Sequence, residues 1–302
     1  MTDKRKAMVL GSFTADALAL GVHWVYNARV IDKKFGVVEQ YHDPLTSYHT
    51  GKKKGDFTHY GDQMLVLLSS VDACTGFDLD HFAETWQSFF DTYKGYFDRA
   101  TKATIQNLSD GKSYQDCGSS SEELAGASRI PPLAYVYHHD LQKLIQAARL
   151  QTAFTHNTHV VIDAAEFISR AIFKVLRGKT PSEAIVETVD DNYKGHVLEE
   201  YVALGHQSTQ KDTREAIAEF GQMCEIDAAL PAAIHIILKY EDDFKRGMIE
   251  NVMAGGDSAG RGMLAGMILG AHAGMDAIPE EWLSDLTHHN RIIACLESLD
   301  KK

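Results

Sequence analysis

The sequence predicts an all-α protein, and three observations carry this prediction. Apolar residues recur at helical spacing in one segment after another. No segment shows the apolar–polar alternation that is typical of a half-buried strand. Helix start signals recur along the chain. One example is the capping box Thr180-Pro181-Ser182-Glu183, with proline at the first helical position. Because no proline-, glycine- or serine-rich linker divides the chain, we expect a single domain over residues 1–302.

The composition is that of an ordinary globular protein. Of the 302 residues, 44% are hydrophobic and 24% are charged, which argues against disorder. The formal net charge of −12 disfavours binding to nucleic acid. The four cysteines match no CxxC spacing, so they are better interpreted as thiols in a reducing compartment than as disulfides or zinc ligands. With no signal peptide recognised, the expected compartment is the cytoplasm, and the oligomeric state stays open.

The first predicted helix covers residues 5–21 and is unusually tightly packed. Gly11, Ala15 and Ala19 recur every four residues along it, which favours close contact with a neighbouring helix. Asp16 lies within this otherwise uncharged stretch. A buried carboxylate must be paired, hydrated or bound to a ligand. The chain leaves the helix through an aromatic-rich segment, His23-Trp24-Val25-Tyr26-Asn27.

A long polar loop comes next, over residues 41–57, and contains His42, His49 and three lysines. Long loops within compact domains are often functional. The polar turn 58–63 follows and leads into an apolar helix, so it is a second candidate position for functional side chains. Between residues 81 and 96 aromatic side chains recur at helical spacing, and we assign this stripe to the core.

Residues 98–132 are less regular and contain the serine-rich loop 117–121 followed by Arg129. Such a loop can hold a phosphate, or it can be an ordinary surface loop, and both interpretations stay open. Beyond it, helices alternate with short connections. They are predicted from about residue 155 to Gly178, after Thr180, between Asp212 and Gly221, from Pro231 to Tyr240, and from Asp243 to Met253.

The glycine turn 254–261 and the helix after it form the most distinctive stretch of the chain. Gly262, Gly266, Gly270 and Gly274 recur at a spacing of four, although each helical glycine costs about 1 kcal/mol relative to alanine. We therefore expect another helix to pack directly against this face. The uncharged run of 14 residues is shorter than the roughly 20 needed to cross a bilayer. Asp257, where the turn meets the helix, is either an N-cap or a ligand-binding residue.

Three polar turns therefore carry the candidate chemistry, and their order and separation resemble the ADP-ribosylglycohydrolase (DraG-like) superfamily over nearly the whole chain. In that family the first motif is G-D-A-x-G with a glutamate seven residues after the aspartate. The second is T-D-D-T-Q and the third is G-G-D-T-D-T before a glycine- and alanine-rich helix. Thr155-His156-Asn157 and the loop 126–133 resemble two further family motifs. The resemblance implies an orthogonal helix bundle around a two-magnesium site that cleaves ADP-ribose from an acceptor.

This chain departs from the metal-binding motifs. His23 occupies the glutamate position, residues 59–62 (His-Tyr-Gly-Asp) occupy the T-D-D-T positions, and only Asp257 remains of the third motif. Because Mg²⁺ needs near-octahedral oxygen ligands, we expect either one weak magnesium site held by Asp62 and Asp257 or none. The variant motifs resemble one branch of the superfamily, which contains the jellyfish J crystallins and selenoprotein J.

Two main hypotheses follow for the function. The first is a protein that binds an ADP-ribose-like glycosidic nucleotide and, if it is an enzyme, hydrolyses the glycosidic bond. His23 or His59 would then act as general acid or base, and Asp62 or Asp257 would orient water or stabilise developing charge. The candidate ligand-binding residues are Asp16, Trp24, Tyr60, Ser119, Arg129, His156, Ser258 and Arg261. The second is a non-catalytic structural protein of the J-crystallin type. A regulatory binder that recognises modified partners without cleaving them lies between the two.

Overall fold

The computed structural model describes residues 2–301, and over that range the chain folds into α-helices without a β-strand. The first nine helices are α1 (Thr2–Leu20), α2 (Ala28–Phe35), α3 (His59–Cys74), α4 (Leu79–Thr92), α5 (Arg99–Ser109), α6 (Ala125–Ser128), α7 (Pro131–Val136), α8 (Leu141–Thr155) and α9 (His159–Val175). The others are α10 (Pro181–Asn192), α11 (Val197–Gln207), α12 (Thr213–Phe220), α13 (Ile226–Lys239), α14 (Phe244–Met253), α15 (Ser258–Ala273), α16 (Glu280–Ser284) and α17 (His289–Asp300). The all-α prediction is confirmed.

Helices α1 and α15 form the centre of the bundle and lie almost in backbone contact. A Cβ added to Gly266 would lie 2.3 Å from the carbonyl oxygen of Gly11, and one added to Gly270 would lie 2.4 Å from that of Ala7. No residue larger than glycine fits at these separations, so the glycines allow the approach. The predicted close packing is confirmed at these positions. Gly274 has a different role, because it ends α15 at φ +86°.

Other helix signals in the sequence are also found where they were predicted. Thr180 and Glu183 form both hydrogen bonds of the capping box at the start of α10. Asp212 caps α12, which Gly221 ends in a left-handed conformation. Three expectations differ from the structure. The helix predicted from about residue 155 begins at His159, because Thr155 still belongs to α8, and the region 98–132 contains the regular helix α5. Helix α13 begins at Ile226 rather than near Pro231. The residues before Pro231 form a helical turn with backbone hydrogen bonds of their own, such as the one that the Ala229 N–H donates to the Glu225 carbonyl.

The aromatic stripe of α4 is core, as predicted, with Phe82, Trp86 and Phe90 buried. At one end of the bundle, the loops after α1 and α2 meet the first turns of α3 and α15. This is the end at which the polar turns predicted from the sequence converge. None of the helices between residues 2 and 301 combines the length and the apolar character that a membrane span requires.

Candidate functional site

The first of the polar turns joins α1 to the start of α3 through Asp16. Its fully buried carboxylate accepts the backbone N–H of Thr58 at 2.8 Å and the Thr58 hydroxyl at 2.6 Å. The Thr58 oxygen also caps α3 by accepting the N–H of Tyr60 at 3.1 Å. Burial raises the pKa of Asp16 to about 7, although the Thr58 hydrogen bonds oppose the shift. Gly61 leaves room for this carboxylate, because a Cβ there would lie 2.3 Å from Asp16 Oδ2.

The exit from α1 is tied to the glycine turn before α15. Trp24, in the left-handed region at φ 61°, donates its N–H to the Gly256 carbonyl at 2.9 Å. Gly256 in turn donates its N–H to the Val25 carbonyl at 2.9 Å. A Cβ on Gly255 would lie 2.4 Å from that same carbonyl oxygen. The two consecutive glycines are therefore required by this close approach, and they fix the position of Trp24.

Asp257, His23 and His49 form a buried line of hydrogen bonds. His23 Nε2 lies 2.7 Å from Asp257 Oδ1, and His23 Nδ1 lies 2.8 Å from His49 Nε2. Asp257 occupies the N-cap position of α15, but its side chain makes no capping hydrogen bond among the described residues. Burial lowers the pKa of His23 far below its ordinary range, lowers that of His49 to about 2, and raises that of Asp257 to about 6. Both imidazoles are therefore neutral at physiological pH.

His59 lies beside this line and differs from it in one respect. Its Nε2 is 3.3 Å from Asp98 Oδ2, yet neither ring nitrogen makes an aligned hydrogen bond within the described part of the chain. Burial alone would raise the pKa of Asp98, but the adjacent His59 holds it below its usual range. Asp98 also caps α5 by accepting the N–H of Thr101 at 2.5 Å. The Tyr60 ring packs on His59 with centroids 4.0 Å apart.

One ring nitrogen from each of His23, His49 and His59 lies within 4.8 Å of the other two. Over residues 2–301 no other three histidine, cysteine or acidic side chains bring their ligand atoms so close together. All three imidazoles are buried. We refer to these three side chains as the histidine cluster. Neutral imidazole nitrogens at this separation are donors suited to a transition metal rather than to magnesium.

The residues that would hold a pair of magnesium ions are engaged otherwise. Asp62 accepts the Lys52 ammonium at 2.5 Å and the Tyr93 hydroxyl at 2.5 Å. One oxygen of Asp257 is bound to His23. Because Mg²⁺ requires several oxygen ligands in near-octahedral geometry, these side chains do not fit the two-ion site that the family resemblance implies. No catalytic step is therefore assigned to magnesium here.

Arg129 and His156 form a second buried group. Arg129 donates to Gln63 Oε1 and, at 2.5 Å, to Thr155 Oγ1, while His156 Nδ1 lies 2.9 Å from the same hydroxyl oxygen. His156 Nε2 is 3.9 Å from Glu123 Oε2, without a hydrogen bond. Burial lowers the pKa of Arg129 to about 10. Two of the guanidinium nitrogens of Arg129 are thus bound to protein acceptors. Of the residues in this buried group, Glu123 is the one that lines the first cleft described below.

Arg261 and Ser258 support the glycine turn from the α15 side. The fully buried Arg261 donates to the Gly255 carbonyl at 2.6 Å and to Asn251 Oδ1 at 3.2 Å. Its Nη1 and the Ser258 hydroxyl have no hydrogen-bond partner in the range that the structure covers. These contacts give Arg261 a role in holding the turn that presents Asp257.

A cleft of about 290 Å³ opens next to the histidine cluster. Its lining combines aromatic side chains, acidic side chains and one arginine: Trp24, Tyr26, Tyr48 and Tyr96, Asp98, Glu123 and Glu225, and Arg99. Trp24 connects the cleft to the cluster, because its ring lies 4.3 Å from His23 and 5.4 Å from His59 between centroids. A second cleft of about 280 Å³ shares Arg99, Glu123 and Glu225 with the first and is also lined by Glu122 and the serine loop at residues 119–121.

The structure brings most of the sequence-predicted residues to this end of the bundle. Asp16, His23, Trp24, His59, Tyr60 and Asp257 meet directly or through one intermediate, and Asp62 lies in the adjoining first turn of α3. Ser119 is linked to His156 through a β-bridge and lines the second cleft. The residues not selected from the sequence are His49, Lys52, Tyr93, Tyr96, Asp98 and Glu123. Of these, His49 could have been selected because it lies in the long polar loop already noted as a candidate functional segment. Asp98 could have been found only as a helix start, from the Asp-x-x-Thr pattern at 98–101.

Comparisons with known proteins identify the family and the fold of the chain. The family model for ADP-ribosylglycohydrolase matches residues 1–302. Crystallin J1A of Tripedalia cystophora is 24% identical, over 99% of this chain and 97% of that protein. ADP-ribosylhydrolase ARH3 of Homo sapiens is 24% identical, over 77% and 76%. A solved structure titled "ADP-ribosylglycohydrolase-related protein complex" superposes with a TM-score of 0.76 at 22% identity, covering 99% of this chain and 98% of that one, and so shares the fold.

Proposed function

We propose that this chain, which belongs to the ADP-ribosylglycohydrolase family, binds a glycosidic nucleotide of the ADP-ribose type without a pair of magnesium ions. The observation that carries the proposal is a set of buried polar atoms that have no partner within residues 2–301. They are both ring nitrogens of His59, the Tyr60 hydroxyl, Glu123 Oε2, His156 Nε2 and Asp257 Oδ2. Each unsatisfied group costs about 1–3 kcal/mol. A ligand in the first cleft would offset this cost directly at Glu123, which lines it, and through its water at the other atoms, which lie behind the lining.

The lining of the two clefts is complementary to the parts of such a nucleotide. Trp24, Tyr48 and Tyr96 offer faces on which a base can stack, an interaction worth about 1–3 kcal/mol per base. The carboxylates of Asp98 and Glu123 are acceptors for ribose hydroxyl groups. In the second cleft the hydroxyls of Ser120 and Ser121 and the guanidinium of Arg99 are the donors available to phosphate, whereas the Ser119 hydroxyl donates to the Thr155 carbonyl. Because Glu122, Glu123 and Glu225 line the same cleft, phosphate can bind there only against Arg99 and these two serines.

Of the two general acids predicted from the sequence, the geometry favours His59. Both ring nitrogens of His23 are occupied by His49 and Asp257, so this ring cannot exchange a proton with a ligand without breaking a buried bond. His59 has no such bond in the described structure and has Asp98 beside it to orient the ring. If a glycosidic bond is cleaved, His59 is the group placed to protonate the leaving atom.

Calorimetric titration of ADP-ribose into the purified protein, with and without Mg²⁺, tests the proposal. We expect binding with the same affinity under both conditions. Flat heats in both titrations, or binding that requires Mg²⁺, would contradict it. The substitution His59→Gln separates binding from cleavage, because it should preserve affinity and abolish any turnover of ADP-ribosyl substrates.

A structural role of the J-crystallin type is the second candidate. The observation that favours it is the match to Crystallin J1A over 99% of this chain. This role predicts very high abundance in one tissue and no affinity for ADP-ribose. Measurable affinity with normal expression would therefore favour the ligand-binding function.

A further inference from the structure

We propose that the histidine cluster binds a single transition-metal ion of the zinc class, at a site formed by His23, His49 and His59. The site differs in ligand chemistry from the two-magnesium centre that the family resemblance implies. It also goes beyond the proposed function, since a metal can bind here whether or not the cleft takes ADP-ribose. A bound metal would, however, replace the general-acid role of His59, because it would occupy one of the ring nitrogens.

The separations of the rings fit one small ion. Tetrahedral zinc with Zn–N bonds of about 2.0–2.1 Å places ligand nitrogens about 3.4 Å apart. His23 Nδ1 and His49 Nε2 are now 2.8 Å apart, and the three ligand nitrogens all lie within 4.8 Å of one another. The ring centroids are separated by 5.0 Å, 5.9 Å and 6.0 Å. Small rotations about the side-chain torsions of His23 and His49 therefore suffice to admit the ion.

Two of the three imidazoles have a carboxylate behind them. Asp257 lies 2.7 Å from His23 Nε2, which leaves Nδ1 directed at the cluster. Asp98 lies 3.3 Å from His59 Nε2, so a metal bound at His59 Nδ1 would have this carboxylate on the opposite ring nitrogen. Metal-bound histidines almost always donate their second N–H to a carboxylate, carbonyl or water, which fixes the tautomer. Packing alone does not account for this repeated arrangement around a buried His59 that has no hydrogen-bond partner among residues 2–301.

The surroundings also suit a bound metal. All three imidazoles are buried, as the ligands of an enclosed metal site are. The Trp24 ring covers the cluster on the side of the first cleft and limits the access of water. Three protein ligands leave the fourth tetrahedral position for water or for an atom of a ligand. The competing explanation is that the contact between His23 and His49 is only a structural hydrogen bond, in which case no metal binds.

Titration of the chelator-treated protein with Zn²⁺, Co²⁺ and Mg²⁺ alone distinguishes these explanations. We expect one Zn²⁺ or Co²⁺ per chain, an intense visible absorption typical of tetrahedral Co²⁺, and no heat with Mg²⁺. His49→Gln should weaken Zn²⁺ binding by more than about 100-fold, and Asp257→Asn by about 10–100-fold, the range for a ligand-orienting carboxylate. His42→Gln is the matched control, because His42 lies in the same loop but stacks on Phe35 outside the cluster.

Two results would overturn the proposal. One is the absence of stoichiometric Zn²⁺ or Co²⁺ binding by the folded wild-type protein. The other is retention of the Co²⁺ spectrum in His49→Gln. If circular dichroism shows that His49→Gln is unfolded, His59→Gln provides the same test, since its ring makes no hydrogen bond in the described structure that the fold would lose. Failure of the ADP-ribose titration leaves these measurements unaffected, so the two proposals can fail separately.

Discussion

Replacing Thr58 with valine should destabilise the protein in a pH-dependent manner. The Thr58 hydroxyl donates to the buried Asp16 carboxylate and accepts the N–H of Tyr60. Loss of the cap costs about 1 kcal/mol. Loss of a hydrogen bond to an ionised group costs about 1.5–3 kcal/mol, whereas a bond to the neutral acid is worth about 1 kcal/mol. The cost of the substitution therefore depends on whether Asp16 is ionised.

The pKa of Asp16 determines the sign of this dependence. It is raised from 3.8 to about 7 in the folded protein, because burial disfavours the charged form. A raised carboxyl pKa means that the folded state loses stability as the pH rises from the unfolded pKa to the folded one. From Asp16 alone the loss in the free energy of unfolding is about 4 kcal/mol, since each pKa unit is worth about 1.4 kcal/mol. Below about pH 6 Asp16 is protonated in the folded state, and above about pH 8 it is ionised.

Urea unfolding of the wild type and of Thr58→Val, at about pH 5.5 and about pH 8.5, measures the difference. We expect a cost of about 2 kcal/mol at the lower pH and of about 2.5–4 kcal/mol at the higher pH. Thr58→Ser is the control, because it keeps both the donor and the cap and should cost much less at either pH. Equal costs of the valine variant at both values, or a larger cost at the lower pH, would refute the role of Thr58 as donor to an ionisable Asp16.

Three further predictions concern packing, the buried arginine and the cleft. Gly266→Ala should lower the free energy of unfolding by about 1–3 kcal/mol, because its Cβ would lie 2.3 Å from the Gly11 carbonyl oxygen; unchanged thermal unfolding would contradict the backbone contact. Arg129→Lys should lower the free energy of unfolding in urea by about 1–3 kcal/mol, since an ammonium cannot reproduce the planar guanidinium that reaches both Gln63 and Thr155. An unchanged free energy of unfolding would contradict this role. Trp24→Ala should weaken ADP-ribose binding by about 1–3 kcal/mol in calorimetry, and undiminished affinity would place the base elsewhere.

Local sequence patterns were sufficient to predict the all-α fold, the starts of helices such as α10 and α12, and the close packing of the central pair. Glycine at a spacing of four has a direct steric meaning, and the contact between Gly266 and Gly11 is what that pattern requires. The buried position of Asp16 was likewise predictable from its uncharged surroundings, and so was its need for a partner. Capping patterns such as that at Thr180 also give helix starts directly, because both hydrogen bonds are made within one turn.

The set of residues that meet at the candidate site was harder to predict, because the residues in contact there are far apart in the chain. The contact between His23 and Asp257 joins residues separated by 234 positions, and nothing local to either indicates it. Lys52 folds back onto Asp62, a residue that the sequence pattern assigned to a metal. Asp98 has a clear local role as a helix cap, which hides its position beside His59. Tertiary packing, rather than spacing along the chain, determines each of these pairs.

We propose that the end of the bundle where the family resemblance implies two magnesium ions is instead a histidine-lined nucleotide site. A crystal of the protein soaked with ADP-ribose and Mg²⁺ provides the decisive structure. We expect nucleotide density against Trp24 with its ribose near Asp98 and Glu123, while Lys52 stays on Asp62 and no pair of ions lies between the carboxylates. Two magnesium ions bound by Asp62 and Asp257, with Lys52 displaced, would contradict it.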